Sequence, residues 1–273
     1  MRERGLQEQT LLNSTDVSIE LPMLLLPILN YHHVGVRVEP KGHRRLWVSI
    51  ERFSQHMAYL EREGYRCLTL RECLPYFSRQ SPLPQPSVVL TFDDGYSDFI
   101  EHAYPILRQH GFGATIAIVT GDVGKISRWD SQWASPIMSW PDIIRLSQDG
   151  IEVASHTVTH PRLSQLSPDE AERELIMSRN TLEDKLGASV VSLVYPYGDV
   201  NTTLEEAAKR AGYLLATSSG PGNLHRPSDL FRLRRVPLDE FMTIPRLRRK
   251  LSSFYHYTCR FQQLTRRWFN QYH

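Results

Sequence analysis

The feature that most constrains this sequence is the regular alternation of short, almost wholly apolar runs with longer stretches of helical character. Mostly apolar runs stand at Leu24 to Tyr31, Cys67 to Leu70, Ser87 to Phe92, Ala114 to Val119, Ile151 to Ser155, Val190 to Tyr195 and Leu214 to Thr217, and Leu233 to Val236 is a further candidate strand. Between them the pattern predicts helices: from Ser49 to Gly64, from about Arg71, from Ser97 to His110, after Trp140-Pro141, from Ser167 to about Leu186, and from Thr203 to Ala211. Ser49 and Ser167 are suited to cap helix starts, Pro141 suits a first turn, and Gly64 and Gly111 suit helix ends. Strands that alternate with helices form βαβ units and so a parallel sheet. Short strands that are mostly apolar are covered on both faces. Seven or eight of them in 273 residues predict a closed α/β barrel, with an open doubly wound sheet as the alternative. No GxGxxG or Walker loop is present, so nothing points to a nucleotide.

The charge balance narrows the class of partner. The formal net charge is +2, too small to argue for nucleic acid. Seven of the 32 basic residues, and no acidic one, fall between Arg246 and His273, which leaves 25 against 30 in the rest. The expected organisation is a polar lead over 1–20, a barrel domain over 21–245 and a basic helical tail over 246–273. In that tail Leu247, Leu251, Phe254, Phe261, Leu264 and Trp268 recur at near-helical spacing. A terminal helix with a solvated basic face is the expectation, and weak contact with an anionic membrane surface is the alternative. The run Leu21 to Leu29 is shorter than the roughly 18 apolar residues of a membrane span and contains Pro22 and Pro27, so it reads as a strand. The three cysteines, an odd number without a CxxC, argue against a disulfide framework and for a cytoplasmic chain.

In parallel α/β folds the chemistry gathers at the carboxyl ends of strands, so three strand ends matter here. Ser87 to Phe92 runs into Asp93-Asp94-Gly95. Adjacent carboxylates repel each other and are costly to bury without a cation, which points to a metal ion; a surface Asp-Gly turn is the alternative. Ile151 to Ser155 runs into His156 and His160, imidazoles at a spacing that suits a metal. Alone this pair is a weak signal, and its place after a strand strengthens it. Val190 to Val194 runs into Tyr195-Pro196-Tyr197-Gly198, which reads as the wall of a pocket or as a rigid turn. Together, one Asp and two His make three ligands and leave a fourth position open for water, as a catalytic zinc site requires. The second Asp is then free to act as a base.

Here the sequence resembles a known family. Thr91 to Gly95 resembles the TFDDG motif of the NodB-type polysaccharide deacetylases, carbohydrate esterase family four. His156 to His160, with Pro161, resembles their HxxxH motif, and Tyr195 to Gly198 their third motif in the form YPYG. Leu29-Asn30-Tyr31-His32-His33 and the helix Phe53 to Gly64 are similar to the poly-N-acetylglucosamine deacetylase branch. The similarity covers about residues 24–240. It implies a distorted (β/α)7-type barrel, circularly permuted so that the strand ending in His32 opens the chain. It also implies a metal-dependent hydrolase that removes acetyl groups from an N-acetylated amino sugar, whether polymeric, glycosidic or carrier-linked. Asp94, His156 and His160 would hold zinc, or cobalt or nickel, and Asp93 would be the general base. The backbone N–H of Tyr197 would help to hold the oxyanion. His32 would be the acid, with His33 as the alternative.

Tyr195, Pro196 and Trp129 are the expected sugar contacts. Trp129, Trp133 and Trp140 lie in or beside the irregular stretch 120–138, where an aromatic face suits a sugar ring or simply packs. Asp199 and Asn201 suit either the pocket or a helix start. One departure stands out: the family's third-motif arginine, which orients the base, falls at Val194. Arg232, Arg234 and Arg235 are the candidates to replace it. Two other readings remain: hydrolysis of another amide or a cyclic imide, and a catalytically silent carbohydrate-binding protein.

Overall fold

The computed structural model describes residues 23–35, 46–78, 80–129 and 134–259. The polar lead, Trp133 and the tail beyond Cys259 lie outside the described residues. The first apolar run gives β1 (Leu24–Leu25) and β2 (Ile28–Tyr31), separated at Pro27, which has no N–H to give a ladder. Then come β3 (His33–Val34), β4 (Trp47–Val48), α1 (Ile50–Arg62), β5 (Arg66–Leu68), α2 (Leu74–Phe77), β6 (Ser87–Phe92), α3 (Tyr104–Gln109) and β7 (Thr115–Ile118). The second half runs α4 (Trp140–Gln148), β8 (Glu152–Ser155), α5 (Pro168–Leu186), β9 (Ser192–Val194), α6 (Thr202–Arg210), β10 (Leu215–Pro221), β11 (Leu224–His225), β12 (Leu233–Pro237) and α7 (Ile244–Leu251).

The helix starts follow the sequence signals. Ser49 accepts the Arg52 N–H, and Ser139 and Ser167 form capping boxes with Asp142 and Glu170. Two expected helices are shorter than predicted. After Arg71 a single 3-10 turn leads into four-residue α2. The Ser97 to His110 segment is a π-helical turn, Phe99–Ala103, followed by α3. Pro105 lacks the N–H that would continue a regular ladder there, and the wider turn falls just before it.

Seven strands, β2, β6, β7, β8, β9, β10 and β12, each lie parallel to the next, and the β12–β2 pairing closes the ring. The barrel expectation thus holds over the open sheet. Strand β5 lies outside the ring. Val89 pairs with Ile28 and Leu68 while Thr91 pairs with Asn30 and Thr115, so β5 and β7 share one edge of β6.

Two apolar layers follow from the two-residue period of the strands. Ile28, Val89, Ala117, Ala154, Val194, Leu215 and Leu233, one from each barrel strand, form a cluster inside the ring. Their chain neighbours Leu29, Leu90, Ile116, Val153, Leu193 and Ala216 belong to the larger cluster under the helices. Each fully buried Val, Leu or Ile among them contributes about 1.5–3 kcal/mol relative to exposure. Helix α7 spans the expected 245/246 division. It buries Leu247 and Leu251 in the outer cluster, and Asn223 Nδ2 donates to the carbonyls of Lys250 and Ser252. Its Arg246, Arg248 and Arg249 are exposed. Among the described residues no helix is long and apolar enough to cross a membrane.

Candidate active site

Above the interior layer the same period continues, now with polar residues. From Val89 the inward positions of β6 pass to Thr91 and Asp93, from Ile28 those of β2 pass to Asn30 and His32, and from Leu233 those of β12 pass to Arg235. All but Thr91 line a cleft of about 410 Å³ at the carboxyl end of the barrel, with Asp94, His156, His160, Tyr96, Trp129, Tyr197, Ser219, Leu46, Pro237 and Leu238. Alternation alone would send Asp94 to the opposite face from Asp93. A left-handed backbone at Asp94 (φ 76°) prevents this and brings both carboxylates into the cleft.

Asp93 is held by Arg235. The guanidinium donates from Nη1 to Asp93 Oδ1 at 2.7 Å and from Nη2 to Oδ2 at 2.8 Å. It also donates to Thr91 Oγ1 at 3.2 Å and to the Ser218 carbonyl at 3.1 Å. Arg235 is 1% exposed and Asp93 4%, so this is a desolvated, two-pronged pair. Burial pushes the Asp93 carboxyl up, but the Arg235 charge and its hydrogen bonds outweigh it and hold the group below its ordinary value. Of the three candidate arginines, Arg235 is therefore the one that contacts Asp93. Arg232 instead pairs with Glu205 at 3.1 Å, and Arg234 packs its stem against Gly222.

Asp94, His156 and His160 converge. Asp94 Oδ1 is 3.3 Å from Nε2 of each histidine, and the three donor atoms lie within 4.8 Å of one another. All three side chains are buried. His156 Nδ1 donates to the Val194 carbonyl at 2.6 Å; a carbonyl can only accept, so Nδ1 carries a proton and Nε2 is the nitrogen that faces Asp94. Burial raises the Asp94 carboxyl, yet its bonds to the two imidazoles leave it well below its usual value. Burial lowers both histidines; the bond to Asp94 prevails at His156, which ends raised, and burial prevails at His160. Two imidazole nitrogens and a carboxylate oxygen, buried and convergent, fit one divalent cation.

His32 and His33 separate cleanly. His32 lines the cleft with Nε2 3.7 Å from Asp93 Oδ2. Burial lowers its pKa and the Asp93 and Asp94 charges oppose that, with burial prevailing. His33 points the other way. It stacks between Trp47 and Tyr96 at 4.0 and 3.8 Å and bonds Asp98 at 2.5 Å.

The expected sugar contacts divide. Trp129 lines the cleft with its ring 4.6 Å from that of His160. Tyr197, 45% exposed, has its ring 4.6 Å from His160 on another side and carries the Arg162 guanidinium 4.3 Å above it. Tyr195 and Pro196 do not line it. Val194 faces into the ring, so Tyr195 faces out and is fully buried in the helix-covered cluster. Trp140 opens α4 away from the cleft, Asn201 caps α6, and Asp199 accepts the Ser164 N–H. The turn Pro196–Gly198 needs its glycine: at φ 64° a Cβ on Gly198 would stand 2.1 Å from the Ser219 nitrogen. Asn30 also lines the cleft, and its two-residue offset from His32 is the sequence signal for that position.

The profile of the polysaccharide deacetylase family matches residues 80–216. YxkH of Bacillus subtilis (strain 168), which carries a provisional polysaccharide deacetylase name, is 28% identical over 218 residues, 80% of this chain and 73% of its own. The poly-beta-1,6-N-acetyl-D-glucosamine N-deacetylase of Staphylococcus aureus (strain MRSA252) is 29% identical over 174 residues; these are 60% of this chain and 58% of that one. Among solved structures, the Streptococcus pyogenes deacetylase PplD in complex with acetate superposes with a TM-score of 0.75 at 28% identity, over 85% of this chain and 100% of its own. IcaB from Ammonifex degensii shares the fold, with a TM-score of 0.70 at 24% identity over 83% of this chain and 96% of that one.

Proposed function

The chain belongs to the polysaccharide deacetylase family, and from that premise we propose that it is a metal-dependent hydrolase that removes N-acetyl groups from an N-acetylated amino-sugar polymer or oligomer. The single observation that carries the reading is the buried Arg235–Asp93 pair set beside the convergent Asp94, His156 and His160. A silent binding protein has no use for an anchored base next to a ligand set. Nothing in the cleft favours a cyclic imide over an acetamide.

Asp94, His156 and His160 would hold the ion, and zinc suits two imidazoles and a carboxylate best, with cobalt or nickel as substitutes. A divalent cation there supplies Lewis acidity, which polarises an amide carbonyl and makes water more acidic. Asp93, kept ionised by Arg235, takes a proton from the attacking water. The two-pronged contact fixes the plane of its carboxylate, so little reorganisation accompanies that transfer. His32 delivers a proton to the leaving nitrogen, which cannot depart as an amide anion. Its place in the cleft beside Asp93, which His33 lacks, supports that role. We assign the Tyr197 backbone N–H to the oxyanion, supported by the left-handed turn that Tyr197 makes at the edge of the cleft. Trp129 offers a face to the sugar.

The three unpaired cysteines support a reducing, cytoplasmic setting. The exposed arginines of α7 support weak contact of the basic segment with an anionic membrane surface. The division into lead, barrel and tail belongs to the same reading. The test is acetate release from N-acetylglucosamine oligomers by wild type, Asp93→Asn and His32→Ala. Both variants should lose about 10²–10⁴-fold in kcat. Full activity in Asp93→Asn would remove the base assignment, and with it the reading.

A further inference from the structure

Glu174, on α5, lies outside the cleft and touches none of the reacting groups. Its carboxylate nevertheless accepts three hydrogen bonds from the loop between the two histidines. The Val158 N–H reaches Oε2 at 2.7 Å, the Thr159 N–H reaches the same oxygen at 3.0 Å, and the Thr159 hydroxyl reaches Oε1 at 2.8 Å. The opposite side of the loop is held too. Thr120 and Gly121 donate their N–H groups to the carbonyls of Thr157 and Val158 at 3.1 and 2.9 Å. A Cβ on Gly121 would stand 2.5 Å from the Val158 oxygen, so only glycine lets the two backbones come this close. Ser178, one turn further along α5, accepts from the hydroxyl of Ser155, the last residue of β8, at 2.8 Å.

The loop needs this support. Thr157 and His160 both have left-handed backbones, at φ 67° and 59°. For a β-branched threonine that is an outlying conformation, and such conformations persist only where the surroundings over-determine them. These two turns bring both imidazoles to bear on one carboxylate oxygen although the loop joining them is not helical. A charged acceptor spanning two adjacent N–H groups binds them more strongly than a neutral one.

We propose that Glu174 is a positioning residue whose carboxylate holds the Val158–Thr159 backbone in the strained shape that aims His156 and His160 at a common metal ion. This rests on the reading of Asp94, His156 and His160 as metal ligands. The test uses the full chain, freed of metal and titrated with cobalt(II) by equilibrium dialysis. Wild type is compared with Glu174→Ala, Glu174→Gln and a control on the same helix, Glu172→Ala, which loses only an exposed contact with Arg210 of α6. Amide hydrogen exchange at Val158 and Thr159 is measured on the metal-free proteins. Glu174→Ala should raise the cobalt Kd about 10- to 100-fold and speed exchange at both amides. Glu174→Gln, whose amide oxygen still accepts, should fall between, and Glu172→Ala should match wild type. If Glu174→Ala does not fold, Glu174→Gln decides by the same two readouts. Wild-type cobalt affinity and unchanged exchange in the Glu174 variants would overturn the proposal alone. Failure of wild type to bind cobalt would overturn the ligand reading, and the proposal with it.

Discussion

Replacing Arg235 with methionine removes the guanidinium while keeping most of its volume. Arg235 and Asp93 are 1% and 4% exposed, so the carboxylate left behind is desolvated and has lost both of its charged donors. Breaking a buried pair from one side costs about 3–5 kcal/mol, because a lone buried charge remains. Thr91 Oγ1 and the Ser218 carbonyl also lose a partner, which adds to the loss. Asp93→Asn strands the guanidinium in the same way. The double variant strands neither charge, so its loss should fall short of the sum of the two singles by about 2 kcal/mol or more. Arg235→Lys keeps the charge but not the fork, and should recover only part of the stability. Urea unfolding of the metal-free proteins measures all four. Acetate release should fall in Arg235→Met by about 10²–10⁴-fold in kcat, since the base loses its orientation. Additive losses in the double variant, or a cost under about 1 kcal/mol for Arg235→Met, would refute the coupling argued from the geometry.

Chelation of the metal should abolish acetate release, and zinc should restore it with a rise in Tm; activity that survives a chelator-treated, metal-free preparation would contradict the site. Gly198→Ala should cost more than about 2 kcal/mol in urea, because the left-handed backbone and the Ser219 nitrogen 2.1 Å away act together. His56 and His225 are fully buried, and burial lowers each from 6.5 to about 4. The unfolded chain therefore takes up protons first as pH falls, and stability drops across the window from 6.5 to about 4, by up to about 3 kcal/mol for each group. His225→Gln should flatten that slope in unfolding curves taken between pH 7 and 4; an unchanged slope would count against a buried neutral His225.

Much of the fold was written in local pattern. Apolar runs of strand length, each followed by a cap and a helical stretch, leave few arrangements besides a parallel barrel, and the carboxyl ends of those runs are where side chains can gather. Asp93, Asp94, His156, His160, Tyr197 and Trp129 were legible for that reason, and the cleft contains them all. Tyr195 was misjudged because a motif lists residues in order without saying which way each one faces. Alternation from inward-facing Val194 sends Tyr195 under the helices.

The choice among Arg232, Arg234 and Arg235 shows where the sequence by itself stops. Strand β12 carries two apolar residues, Leu233 and Val236, at odd spacing, so they face opposite sides, and both sides of a barrel strand are apolar. Periodicity therefore could not tell inside from outside, and each arginine remained eligible. Ring closure settled it by placing Leu233 in the interior layer, which put Arg235 above it and within 2.7 Å of a carboxylate 142 residues earlier in the chain. The same closure sets β2 between β12 and β6 and so brings His32, rather than His33, to Asp93. Residue types and strand ends are local properties that a sequence can carry; which face of a strand looks inward, and which distant strand lies beside it, exist only once the ring has closed.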